Sequence, residues 1–177
     1  MKSTEEIFNI LKEKFPNYNF VINTESVMDN YIFVDLENIF EVSLFLRDNE
    51  ELLFDSLMVL SGVDDANGEK IKEEDGSETI KGGTLSTYYH LYSIQLKHKV
   101  TIRVTCLRQN PEIYSVSSIW RTADWHEREA FDMYGIKYLN HPDLRRILMP
   151  YDWEDGSYPL RKDYKSPEFY QGMKIPY

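Results

Sequence analysis

Between Trp125 and Tyr164 the chain sets histidines, carboxylates and arginines close together, and three kinds of chemistry can be built from them. His126, Glu127 and His141, with Glu129 or Asp132 as a further ligand, are residue types that hold a metal ion and activate its water for hydrolysis. The His-Glu-x-x-His spacing that puts two such ligands on one helical face is absent, and His141 stands before Pro142, where it can equally open a turn. Arg145-Arg146 and Arg161-Lys162 each lie just after a proline turn, and their donors suit a phosphate or carboxylate of a small ligand. The same guanidinium forks can instead grip Glu127, Glu129 and Asp132, tying the C-terminal segment to the preceding helix and to a neighbouring protein. Arginines interleaved with acids favour that clamp over either site.

Those acids need a helix to hold them. At about 100° per residue, Ala123, Glu127, Ala130 and Tyr134 fall on one stripe with Phe131 beside it. Glu127 thus sits among apolar neighbours, where a carboxylate is costly unless paired, so an arginine from the following segment is expected to meet it. Asp124 with Arg128, and Arg128 with Asp132, are i,i+4 pairs that support the helix, and Gly135 ends it.

Other chemistries find no footing. The lone Cys106 excludes a disulfide framework and a Cys-x-x-Cys cluster, and it lies in an apolar strand pattern where an inert buried thiol is expected. No Gly-x-Ser-x-Gly elbow, Gly-x-Gly-x-x-Gly turn or phosphate loop occurs, so no cofactor cradle is expected on this chain. No apolar run approaches the roughly 18 to 20 residues of a membrane span, and the start of the chain is acidic where a signal or transit peptide is basic. A membrane is therefore met through a partner. The net charge is −10, yet residues 137–177 carry seven basic against six acidic side chains. That basic pole suits docking on an acidic or polar protein surface, and the acidic remainder disfavours nucleic acid.

The scaffold reads as one α+β domain: a mixed or largely antiparallel sheet covered by helices, followed by an extended C-terminal arm. Ser3 and Glu6 form a capping box for a first helix with Ile7, Ile10 and Leu11 on one face, stopped by Pro16. Phe20, Ile22 and then residues 31–35 read as two strands around a polar turn at Met28 to Asn30, and Asp35 is expected to cap a second helix over 36–47. Residues 54–63, 84–95 and 100–107 read as strands. Residues 64–82, with seven acids and three lysines, read as a solvated surface loop or loose hairpin without a calcium-loop order. The boundary between core and arm is placed at residue 135. Beyond it the prolines allow only one short helix, over 142–148, and the aromatics after Tyr164 read as an extended arm laid on a partner.

The motifs of this stretch resemble the 30-kDa subunit family of respiratory complex I, the NADH-quinone oxidoreductase. The resemblance is carried by Glu127-Arg128-Glu129, Asp132-Met133-Tyr134-Gly135-Ile136, His141-Pro142-Asp143-Leu144-Arg145-Arg146-Ile147-Leu148 and Pro159-Leu160-Arg161-Lys162-Asp163-Tyr164, in order. Weaker similarity runs back through Ser115 to Trp120 and Tyr89 to Ser93. Asn140 stands where that family usually has glycine, so it must accept a glycine's backbone geometry. The resemblance implies a subunit with no catalytic, metal or cofactor site of its own, in which the charged residues of these motifs serve as an interface and structural clamp. It implies partners: a hydrogenase-like large subunit, a ferredoxin-like iron–sulfur subunit and a further iron–sulfur subunit, in a complex whose other members carry FMN and the Fe-S clusters. It further implies a peripheral place on the cytoplasmic side of a bacterial membrane, with the equivalent subunit of a membrane-bound hydrogenase or ferredoxin-dependent complex as the alternative.

Overall fold

The computed structural model describes residues 1–24, 30–72 and 78–174. Its first helix, α1 (Thr4–Lys14), begins as its capping residues require. The Ser3 hydroxyl accepts from the Glu6 amide at 3.2 Å, and the Glu6 carboxylate accepts from the Ser3 amide at 2.6 Å. Two short strands, β1 (Phe20–Asn23) and β2 (Tyr31–Val34), pair antiparallel, while Met28 and Asp29 of the expected turn lie outside the described residues. The second helix, α2 (Ile39–Asp48), starts later than expected. Asp35 does not cap it: its carbonyl accepts from the Asn38 amide in a tight turn, and the helix begins after that turn without a side-chain cap.

Three long strands follow: β3 (Ser56–Asp64), β6 (Thr84–Tyr92) and β7 (Lys99–Leu107), with a β4 (Glu69–Lys72) and β5 (Glu78–Lys81) hairpin between the first two. The main sheet runs β1-β2-β7-β6-β3, and only the β2–β7 neighbours are parallel. Alternation along β6 and β7 sends Leu85, Tyr89, Leu91, Val100, Ile102, Val104 and Cys106 to one face, where they are buried with Ile7, Leu11, Val42 and Leu46 of the helices. The acidic stretch is thus more structured than a solvated loop. Asp64 closes β3 and is buried, and the adjoining Asp65 binds Arg103 at 3.0 Å on the opposite sheet face.

A further helix, α3 (Ala123–Tyr134), packs across β3, and β8 (Glu112–Tyr114) pairs in parallel with β9 (Lys137–Leu139) just after it. Close approach of α3 to β3 requires Gly62, since a Cβ there would stand 2.7 Å from the Tyr134 ring. Gly135 ends α3 in the left-handed region at φ 75° and packs under the Tyr158 ring, where a side chain would overlap it. Ile136 and Tyr138 belong to the same core, so the folded unit continues through Leu139, past the boundary at 135. Asn140 then turns at φ 64°, the geometry a glycine would supply.

No helix forms over 142–148; the chain makes turns instead. The end of the described chain is not a plain extended arm either. It folds back as a small hairpin of β10 (Phe169–Tyr170) and β11 (Met173–Lys174), held by Tyr170 and Gln171 donating to Asp152 at 2.8 Å each.

Candidate functional site

Helix α3 carries its charged residues to two distinct places. Near its start, Glu127 is fully buried, and among the described residues no arginine reaches it. Its carboxylate accepts from the Ser115 hydroxyl at 2.6 Å and the Val116 amide at 2.8 Å, so the loop before the helix takes the part expected of an arginine. The reason is geometric: this side of α3 faces that loop and His141, whereas Arg146 and Arg161 return past the other end of the helix. His141 lies 3.9 Å away, beyond hydrogen-bond reach. Its Nδ1 accepts from the Asp143 amide at 3.0 Å, which leaves the proton on Nε2, facing the Asp124 carbonyl at 3.2 Å.

Burial pushes the Glu127 carboxyl up to about 7, against the lowering pull of Ser115 and Val116, and nearby Asp124 adds to the rise. An acid whose folded pKa exceeds its unfolded value binds more protons folded than unfolded between the two. Stability therefore falls as pH rises from about 4.5 to about 7 and levels off above. Glu127→Gln removes the ionisation; its one carbonyl oxygen still accepts from the Val116 amide, and its NH2 group donates to the Ser115 hydroxyl, which can turn to donate to Ser117 instead. The variant is expected to match the parent near pH 4.5 and to exceed it by roughly 3 kcal/mol at pH 8. Urea denaturation at the two pH values reads this directly, and a parent curve flat across that range would refute it.

At the far end of α3, Asp132 is fully buried and holds the returning chain. One carboxylate oxygen accepts from the successive amides of Ile147, Leu148 and Met149 at 3.1, 2.8 and 2.8 Å, and the other meets Arg146 at 3.2 Å. Three amides converging on one anion form a nest, which is why this stretch cannot also be helical. The last carbonyls of α3, which a helix leaves unpaired, are used in the same way. Met133 accepts from the Leu160 amide at 3.2 Å, and Tyr134 accepts from the Arg161 guanidinium at 2.7 Å. Arg161 also lies 4.3 Å from the centre of the Tyr158 ring, and burial lowers its pKa from the usual value.

A third anchor joins the same segment to the sheet. Arg108, buried just after β7, donates to Asp64 and to Asp163, and Asp64 also accepts from the Lys162 amide at 2.9 Å and the Ala66 amide at 3.1 Å. Arg128, itself buried, rounds off the set beside Asp124. It pairs with Asp124 at 2.8 Å and Asp143 at 3.3 Å, and lies 5.4 Å from the Trp125 ring. The expected Arg128–Asp132 pair does not form because Asp132 faces the nest.

The structure thus brings Asp132, Arg146, Arg161, Lys162 and Asp163 into one system of anchors, with Tyr164 following through its amide, which donates to the Arg161 carbonyl at 3.1 Å. It does not bring in Glu129, which is exposed, nor Arg145, which pairs with exposed Asp143 at 3.1 Å. His126 lies beside Glu129 on the side of α3 that borders β3, apart from the Glu127–His141 pair, and among the described residues no group of three or more His, Cys, Asp or Glu side chains could hold a metal ion. Sequence reasoning missed Asp64, Arg108 and Ser115. Asp64 was hidden in an acidic run and Arg108 ended an ordinary strand; only a fully buried acid at Glu127 signalled that some donor such as Ser115 was needed. Cys106 is buried, and burial pushes its thiol up to about 12, which makes it unreactive at neutral pH.

Residues 32–170 match the family described as respiratory-chain NADH dehydrogenase, 30 Kd subunit. The chain belongs to this family. The C subunit of NADH-quinone oxidoreductase from Chlorobium phaeobacteroides, a member of matching size, is 37% identical over 177 residues, covering 100% of this chain and 98% of its own. Its counterpart from Chloroherpeton thalassium is 41% identical over 174 residues; the match covers 98% of this chain but only 65% of that longer protein. In three dimensions the fold is shared with a trypsin-resistant fragment (1–134) of Nqo5 at a TM-score of 0.55 and 21% identity, covering 78% of this chain and 98% of the fragment. Among the described residues no helix is long and apolar enough to cross a membrane.

Proposed function

We propose that the chain is a structural subunit of the peripheral arm of a proton-translocating NADH-quinone oxidoreductase, binds no cofactor itself, and holds the electron-transferring subunits in register. The observation that carries this reading is the anchored C-terminal segment. Residues 146–149 and 160–163 are fixed to the core by buried charges, yet Leu148, Tyr151, Leu160, Phe169 and Met173 are left exposed along it. A segment held this firmly while showing its apolar side chains outward is a preorganised docking strip, which lowers the ordering cost of association. On this reading the core ends near Leu139 and the rest is the docking segment.

Its partners are a hydrogenase-like large subunit, a ferredoxin-like iron–sulfur subunit and a further iron–sulfur subunit. Electrons pass from NADH by FMN and iron–sulfur clusters on other subunits to a quinone, and the chain meets the membrane only through the complex, on its cytoplasmic side. Affinity purification of the tagged chain from detergent-solubilised native membranes tests this. Recovery with those subunits and with NADH:quinone activity is the expected result. Recovery with hydrogenase activity would select the hydrogenase-type complex instead, and a lone protein retaining stoichiometric transition metal after chelation would replace both with a hydrolase.

A further inference from the structure

The main sheet ends at β3, and among the described residues no backbone hydrogen bond reaches that strand's outer edge. Its nine residues, Ser56–Asp64, include neither lysine nor proline, the usual defences of an exposed edge. One defence is present: a bulge between Leu57 and Val59, which confines the regular stretch to residues 59–64. There, alternate amides and carbonyls point away from β6 and remain to be paired. Beside them runs a groove of about 260 Å³. Residues 59–62 form one side, and His126, Glu129 and Tyr134 of α3 line it together with Leu160 of the anchored C-terminal segment.

We infer that this edge and groove receive an extended, basic segment of a partner subunit, which adds a sixth strand to the sheet. Its backbone pairs with β3, one apolar side chain enters the groove against Tyr134 and Leu160, and a lysine or arginine meets Glu129. Charge selects this occupant. Glu129 is exposed and has no ion-pair partner among the described residues, and the chain carries −10, so a second copy would bring like charges together whereas a basic strand would not. Leu160 supplies part of the groove only because its amide is fixed to the Met133 carbonyl at 3.2 Å, so the site is complete once the C-terminal segment is anchored.

The inference rests on the reading of the chain as a subunit of a larger assembly, and hydrogen exchange on the full chain, free and in the detergent-purified complex, tests the two separately. Amides of residues 59–63 are expected to exchange at least about tenfold more slowly in the complex. Glu129→Arg, on an exposed position, is expected to lower incorporation into the complex severalfold while leaving the free chain's denaturation curve unchanged, and Glu129→Gln to lower it less. Incorporation with unchanged exchange at 59–63 would overturn the added strand alone. Protection that grows with concentration of the isolated chain would overturn it in favour of a second copy. If no other subunit co-purifies, the assembly reading falls with it.

Discussion

Asp132→Ala is expected to destabilise the protein by about 3–5 kcal/mol and to release residues 146–149 from the core. The carboxylate is fully buried and is the acceptor for three amides and one guanidinium. Its removal leaves those donors facing apolar surroundings, each with its own desolvation cost. Arg146 loses its buried partner and keeps only the exposed Asp155, at 3.0 Å. Asp132→Asn separates charge from shape: the amide oxygen still serves the nest, while its NH2 group opposes Arg146, so a smaller loss of about 1–3 kcal/mol is expected. Urea denaturation measures both, and exchange at Ile147, Leu148 and Met149 shows whether the segment has detached. Equal losses for the two variants, with those amides still protected, would show that the nest does not hold the segment.

Arg108→Ala is expected to cost a similar about 3–5 kcal/mol, because it strands the buried carboxylate of Asp64 and frees Asp163. A double cycle with Asp64→Ala checks the coupling: the two losses are expected to fall short of additivity by about 1–3 kcal/mol, since either change alone leaves an unpaired charge. The pH dependence runs opposite to that of Glu127. Burial raises the Asp64 carboxyl, but Arg108 and the Lys162 and Ala66 amides outweigh it and hold the group below its usual value. An acid depressed in this way contributes stability above its unfolded pKa of about 3.9, and the contribution is lost as pH falls through the folded value. The Arg108→Ala curve should therefore converge on the parent curve in acid. A constant offset from pH 7 down to pH 2 would exclude the buried pair as the source of the loss.

What the sequence disclosed depends on how local each feature is. The capping box at Ser3, the helix over Ala123–Tyr134 and its glycine end all follow from residues within a turn of one another, and the structure shows them as read; the left-handed Asn140 was expected only from the family resemblance. The α+β class followed from period-two alternation in the long strands and the helical stripe at Glu127. The sequence also indicated that buried acids on α3 anchor later chain, but partner choice depends on which end of the helix the chain revisits. An arginine of the following segment was expected at Glu127, and Arg146 meets Asp132 instead. Arg108 was invisible because its partners Asp64 and Asp163 lie 44 and 55 residues away, and no periodicity links positions so far apart. The second helix started late because a turn at Asp35 competes with capping, a choice that side-chain type alone does not decide.

The same separations fix a chronology. Asp64 is synthesised 44 residues before Arg108 and 98 before Lys162, so during synthesis its carboxylate has no lasting place inside the sheet until later chain has left the ribosome. The edge strand β3 cannot close fully around Asp64 on its own. That strand end is completed in two steps, by Arg108 and later by the Lys162 amide, and a protein truncated before Lys162 would leave the ribosome with the end unfinished as well as its tail missing.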